Sequence, residues 1–274
     1  MIRTSFPAAS PPTPKRPEPA TRWQILSLPF FLFLTLPLVA LFLRISPTRL
    51  ITHLNQTQVL QAITLSLTTT LVSALVILVF GTPVAYSLAR SRMPFRRFVD
   101  AIIDLPTVLP PAVAGVALLM AFGRRGLFGG LLEQLDIHIA FTPIAVMMAQ
   151  TFIAAPFYIK SAAIGFSSID SELEQAAELD GASNWQVFRY VTIPLSWSSL
   201  LGGILMSWAR ALGEFGATII FAGNYPGRTQ TMPLAIYIGF EIDLDVALTL
   251  SVILVGFSFL ALVVIKGILH RETF

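Results

Sequence analysis

The sequence predicts an all-α protein that crosses a membrane six times. Three observations lead there. Of the 274 residues, 55% are hydrophobic and 12% charged, against about 25% charged in an ordinary soluble domain. The apolar residues gather into six runs of roughly 20 residues or more, the length that crosses a bilayer. The basic residues fall between those runs and are divided unequally between the two sides, the pattern that sets membrane orientation.

A stretch rich in Pro, Ser and Thr, PAASPPTPKRPEPATR, precedes the first run. Residues 1–22 are therefore expected to form a disordered cytoplasmic tail. The first run, 23–43, is too long for a signal-peptide core and has no small-residue cleavage site after it, so it reads as a retained span. The second run, 62–89, carries Gly81 and Pro83, where a kink or break is expected. The third, 101–122, contains Leu105-Pro106 and Leu109-Pro110-Pro111, with Gly115 following. Backbone carbonyls freed at membrane depth must find neighbouring helices or line a polar cavity. Pro110, Pro111 and Gly115 are thus candidates for a pathway wall, with a plain packing kink as the other reading. The fourth, fifth and sixth runs are 142–165, 196–222 and 246–268. Residues 23–268 form the transmembrane domain, and 269–274 a short cytoplasmic tail.

Placing both termini in the cytoplasm puts Arg3, Lys15, Arg16, Arg22, Arg90, Arg92, Arg96, Arg97, Lys160, Arg189, Lys266 and Arg271 inside. It leaves Arg44, Arg49, Arg124, Arg125 and Arg228 outside, a ratio of 12 to 5 that satisfies the positive-inside rule. The strongest cluster is ARSRMPFRR, between the second and third runs. Basic residues scattered in this way serve as topological anchors against lipid, not as a nucleic-acid surface.

The absence of cysteine excludes disulfides, thiolate metal sites and a cysteine nucleophile. His53, His138 and His270 are far apart, and no metal or cofactor site is expected.

One soluble-looking element lies between the fourth and fifth runs, at about 166–195. Ser171 with Glu174 and Ser183 with Gln186 have the spacing of capping boxes, so two short helices are expected. Gly181 stands where a helix end favours a left-handed residue, and Pro194 is expected to end the second helix. Leu173, Ala176 and Ala177 on the first helix, and Trp185 and Phe188 on the second, give each a small apolar face. That face either meets a partner or packs back on the membrane domain.

In the fifth run, Arg210 and Glu214 are four residues apart and share one helix face. A charge inside a span costs about 2.5–3.5 kcal/mol on insertion scales unless it is paired or wetted. The pair is read either as part of a gate or pathway, or as a buried ion pair that fixes packing. Asp100 and Asp104 repeat the same spacing at the start of the third run.

The stretch Gln175-Ala176-Ala177-Glu178-Leu179-Asp180-Gly181, followed after nine residues by Val191-Thr192-Ile193-Pro194, resembles the E-A-A loop of binding-protein-dependent ABC importer permeases. Gln175 stands in the glutamate position, with Glu174 beside it. The resemblance implies a type I ABC importer permease fold. It also implies an ATPase-coupling loop carried by Glu174, Gln175, Ala176, Ala177, Gly181, Ile193 and Pro194. Further on, the segment from Trp208 through RALGEFGAT and FAGN to Pro226-Gly227-Arg228-Thr229-Gln230-Thr231-Met232-Pro233-Leu234-Ala235-Ile236-Tyr237 resembles the signature of permeases for tetrahedral oxyanions, its RTQTMPLAIY end resembling the molybdate branch more than the sulfate branch. LPPAVAG at 109–115 and FGRRG at 122–126 resemble the molybdate branch more than the sulfate branch.

What the resemblance implies is a permease subunit without a catalytic site, in a bacterial inner membrane. It would work as a homodimer with a pair of ATP-binding subunits and an extracytoplasmic substrate-binding protein. Molybdate is the expected substrate, with tungstate, sulfate or thiosulfate as alternatives. No G-x-x-x-x-G-K-[ST] phosphate loop occurs in the chain. An ion-coupled secondary carrier would have broken helices in both halves, whereas Pro-rich breaks are present only in the first. An intramembrane enzyme would need a nucleophile or metal constellation that the spans lack.

Overall fold

The computed structural model describes residues 21–90 and 95–270. Most of the two expected tails, and Arg92 of the basic cluster, lie outside those residues. The chain divides into two compact units, 1–44 and 45–274.

The described part of the first unit is one helix, α1 (Thr21–Arg44), with Pro29 and Pro37 inside it. Leu28, Phe30, Phe31, Phe33, Leu36 and Leu43 are exposed on every side, the surface of a helix bathed in lipid. At about 1.5 Å per residue its 24 residues are long enough to cross.

The second unit is a bundle of helices. A short amphipathic helix, α2 (Pro47–Leu54), leads into α3 (Thr57–Arg90), whose 34 residues run without interruption. The break expected at Gly81 and Pro83 is absent. A Cβ on Gly81 would lie 3.0 Å from the Tyr158 ring, so this glycine allows close packing between helices. The third predicted span is two helices, α4 (Arg96–Val108) and α5 (Pro111–Phe122), bent by 115° at Leu109-Pro110. After a loop with the short α6 (Gly129–Gln134) comes α7 (Pro143–Ser167), the central helix of the unit.

The expected soluble-looking element follows as α8 (Ser171–Leu179) and α9 (Asn184–Val187). A π-turn, Phe188–Thr192, and one α-turn, α10 (Ile193–Leu195), connect it to α11 (Trp197–Leu212). The predicted fifth span ends early. It breaks at Gly213–Phe215 and resumes as the six-residue α12 (Gly216–Phe221). A short apolar helix, α13 (Met232–Ile242), precedes the last span, α14 (Leu244–His270). Among the described residues, four helices are long and apolar enough to cross a membrane, and six if each bent pair counts as one.

Lipid tails are as apolar as leucine, so the helices are held together by close approach and by hydrogen bonds. The α7–α11 contact shows both. Ser161 and Gly165 on α7 face Ser199 and Gly203 on α11. A Cβ on Gly165 would lie 2.4 Å from the Ser199 side chain, and one on Gly203 would lie 2.8 Å from that of Ser161. Ser161 Oγ donates to the Ser199 carbonyl at 2.7 Å. Elsewhere Ser207 donates to the Ala154 carbonyl, Trp208 Nε1 to Thr70, and the Met232 N–H to Ser66 Oγ. Such bonds average about 0.6 kcal/mol each, so the bundle rests on many small terms.

Candidate functional site

The residues singled out in the sequence fall into two groups. The first is the loop between α7 and α11. Ser171 does not cap α8. Asp170 does, its carboxylate accepting the Glu172 N–H at 3.0 Å. The shift of one residue frees Glu174 from capping, and its carboxylate turns inward. Arg90 reaches it at 2.9 Å, and Thr192 Oγ1 donates to it at 2.7 Å. The far end of α8 closes as the sequence predicts. Gly181 has φ +90°. Its N–H donates to the Glu178 carbonyl, and the Ala182 N–H to that of Ala177, both at 3.0 Å. These are the two bonds of a Schellman turn.

Ser183 and Gln186 form the expected capping box on α9. Pro194, however, does not end the helix. The ladder widens into the π-turn just before it, where a residue lacking an N–H is accommodated. The chain bends instead at Ser196, by 73°.

Phe188 packs back on the membrane helices, with ring centroids 5.1 Å from Tyr86 and 6.2 Å from Phe166. Its neighbour Trp185 remains 64% exposed, and Leu173 and Leu179 are 51% and 89% exposed. Gln175, Ala176, Gly181 and Pro194 are exposed, while Ala177 and Ile193 are half-buried. Phe188 thus packs back on the membrane domain, while Leu173, Leu179 and Trp185 are left outward. A cleft of about 660 Å³ opens beside them, lined by Pro83 and Tyr86 of α3 and by Glu174, Glu178, Trp185 and Phe188.

The second group lies where the two broken helices meet. A Cβ on Gly115 would lie 2.8 Å from the Ala217 carbonyl oxygen and from Ile220 Cβ, and one on Gly216 would lie 2.6 Å from Pro111. The starts of α5 and α12 are therefore in backbone contact. Pro110 and Pro111 remain exposed beside them. Arg210, in the last turn of α11, sits 2.9 Å from Glu214, which is 1% exposed. The other Glu214 oxygen accepts the Ala217 N–H at 2.8 Å. Cation and carboxylate thus stand at the negative end of one helix and the positive end of the next. All five predicted pathway residues are brought to one place.

Sequence reasoning missed the partners that come from afar. Asp100 and Asp104 do not pair with arginines nearby; both hold Lys160 of α7, at 2.6 and 2.8 Å. Arg90 was singled out only for its charge in the ARSRMPFRR cluster, and Thr192 only as part of the Val191–Pro194 stretch; neither was paired with Glu174. The break at Gly213–Phe215 contains no proline, so the second half is broken as well as the first.

Residues 79–271 match the family described as binding-protein-dependent transport system inner membrane component. The molybdenum transport system permease protein ModB of Mycobacterium tuberculosis is 39% identical over 240 residues, covering 87% of this chain and 91% of that protein. The sulfate transport system permease protein CysW of Synechococcus elongatus is 34% identical over 224 residues, covering 81% and 78%. Among solved structures, a bacterial alginate ABC transporter in complex with an alginate pentasaccharide-bound periplasmic protein has a chain that superposes with a TM-score of 0.68 at 17% identity, covering 92% of each chain. The fold is that of type I ABC importer permeases, and this chain belongs to the binding-protein-dependent transport system inner membrane component family.

Proposed function

We propose that this chain is the permease subunit of an ATP-binding-cassette importer that carries molybdate into the cytoplasm. The observation that carries the reading is the likeness to a molybdenum permease along nearly the whole of both chains. The oxyanion signature running from Arg210 to Pro233 supports it from within the sequence. Sulfate is the second reading, favoured by the lesser likeness to a sulfate permease.

The roles of the two groups follow from their chemistry. The loop at 166–195 presents Leu173, Leu179 and Trp185 outward on helices whose ends are capped, a firm surface for a pair of ATP-binding subunits. A conformational change needs differential contacts in its two states, and this loop offers them to ATPases that close on ATP. The contact of α5 with α12 forms one half of a gate. The exposed prolines at the break face a second copy of the chain, which supplies the other half. Arg210 and Glu214 neutralise each other, which suits a path that a dianion must leave as readily as it enters. A substrate-binding protein on the outer side delivers the anion, and ATP hydrolysis takes place in the partner subunits.

The test is uptake of labelled molybdate by a strain lacking the gene, with and without the gene restored, in excess sulfate. Restored uptake that sulfate barely lowers is expected; restoration of sulfate uptake alone would move the assignment to the sulfate branch. Orientation is tested with a cysteine at Ser183, which should react from the cytoplasm only.

A further inference from the structure

We infer that Arg90 is the positioning residue of the 166–195 loop: by holding Glu174 it fixes the angle at which α8 meets the ATPase. The inference rests on the coupling role proposed for that loop and adds a residue from outside it. Arg90 closes the last turn of α3, where the helix dipole favours a cation. Its guanidinium contacts Glu174 Oε1 at 2.9 Å, and its two terminal nitrogens donate to the Ile169 carbonyl at 3.4 Å. Ile169 directly precedes the Asp170 cap. The same Glu174 oxygen accepts from Thr192, whose side chain is fully buried. One carboxylate oxygen therefore joins the end of α3, the first turns of α8 and the π-turn beyond α9.

Among the described residues, α8 is tied to a membrane helix by one salt bridge, this ion pair. Its cap and its Schellman turn shape its ends, and both are local. Its leucines Leu173 and Leu179 face outward. Its other neighbours, α9 and the π-turn, belong to the same loop. The Arg90–Glu174 pair is largely withdrawn from water, at 21% and 13% side-chain exposure, where salt screens a charge pair less than at the surface. A guanidinium can serve a carboxylate and a carbonyl at once, in a planar fork that an ammonium does not reproduce.

The test uses the complete complex of permease, ATPase and binding protein in vesicles, with molybdate as substrate. It reads molybdate-stimulated ATP hydrolysis relative to the unstimulated rate, together with uptake, permease abundance and co-purification of the ATPase. Arg90→Ala and Glu174→Ala are each expected to lower stimulation and uptake about tenfold, with abundance and co-purification kept. Because the two act through one contact, Arg90→Ala/Glu174→Ala should lose about tenfold and not about a hundredfold. Gly181→Val serves as the reference for the loop itself. Full stimulation in Arg90→Ala beside loss in Gly181→Val overturns the positioning role alone; full stimulation in both overturns the coupling role beneath it. A hundredfold loss in the double variant, or uptake that falls only in step with abundance, also overturns the inference.

Discussion

The 166–195 loop and the broken-helix contact differ in how they are held. The loop is shaped by its own neighbours in sequence: Asp170 caps α8, Ala182 and Gly181 close it, and Ser183 and Gln186 open α9. The broken-helix contact is shaped by residues roughly a hundred positions apart, with Gly115 against Ala217 and Pro111 against Gly216. Only Arg210 and Glu214 are local there, and both serve the break itself. Under the roles proposed above, the loop is to be touched by a partner and can be finished locally, while the contact is to open and is closed by elements from distant parts of the chain. The two regions should therefore respond differently to damage, one losing coupling and the other losing stability.

The largest effect is expected at Arg210→Ala. The Arg210 side chain is 32% exposed, but Glu214 is 1% exposed; without Arg210 its charge would be left buried and uncompensated but for the Ala217 N–H, which is strongly destabilising. Abundance in the membrane and the thermal midpoint in detergent should fall sharply. Arg210→Met/Glu214→Leu should recover both, since an apolar pair of similar size is often neutral. If the double variant also transports at the normal rate, the pair is packing and not part of a gate.

A methyl group at Gly115 comes next. A Cβ there meets a backbone oxygen at 2.8 Å, which a side-chain rotation cannot relieve, and overpacking costs about 1–3 kcal/mol. Gly115→Ala should lower the thermal midpoint and prise α5 from α12. An unchanged midpoint would show that the contact is loose.

Gly181→Ala has a similar cost from another source. No atom lies within 4 Å of the added Cβ, so the penalty is the left-handed backbone alone, about 1–2 kcal/mol. Its signature should be the reverse of that of Gly115: a normal thermal midpoint for the membrane unit, with reduced molybdate-stimulated ATP hydrolysis. A lowered midpoint with normal stimulation would dissolve the contrast between the two regions.

Ser183→Ala is expected to do least. Losing a cap costs about 1 kcal/mol, and α9 is also held by Phe188 against Tyr86. Uptake should fall by less than about tenfold, that cost being slightly under the 1.4 kcal/mol that a factor of ten represents.

The sequence was most legible where signals are local. The Schellman glycine and the Ser183 box were readable because each depends on residues within a turn. Asp170 was missed because Ser171, one position later, satisfies the same pattern. Proline misled in both directions. Pro83 lies in a helix that runs on without interruption, packed on α7 where the Tyr158 ring meets Gly81. The break at Gly213–Phe215 has no proline; there the Glu214 side chain takes up the Ala217 N–H at 2.8 Å. The partners of Asp100, Asp104 and Glu174 were illegible for a plainer reason: the helix that supplies each cation is fixed by tertiary packing and not by spacing.

The small-residue seam between α7 and α11 has a mechanical consequence. The loop leaves the membrane from the end of α7 and returns at the start of α11. Just above those roots, Ser161, Gly165, Ser199 and Gly203 bring the two helices together with almost no side chain between them. Long side chains would act as a compliant pad, each rotamer change absorbing some displacement. With serine and glycine there is little to yield. The seam itself resists compression, and the α11 segment that starts beside it carries Arg210 in its last turn, while a 73° bend at Ser196 separates α11 from the loop.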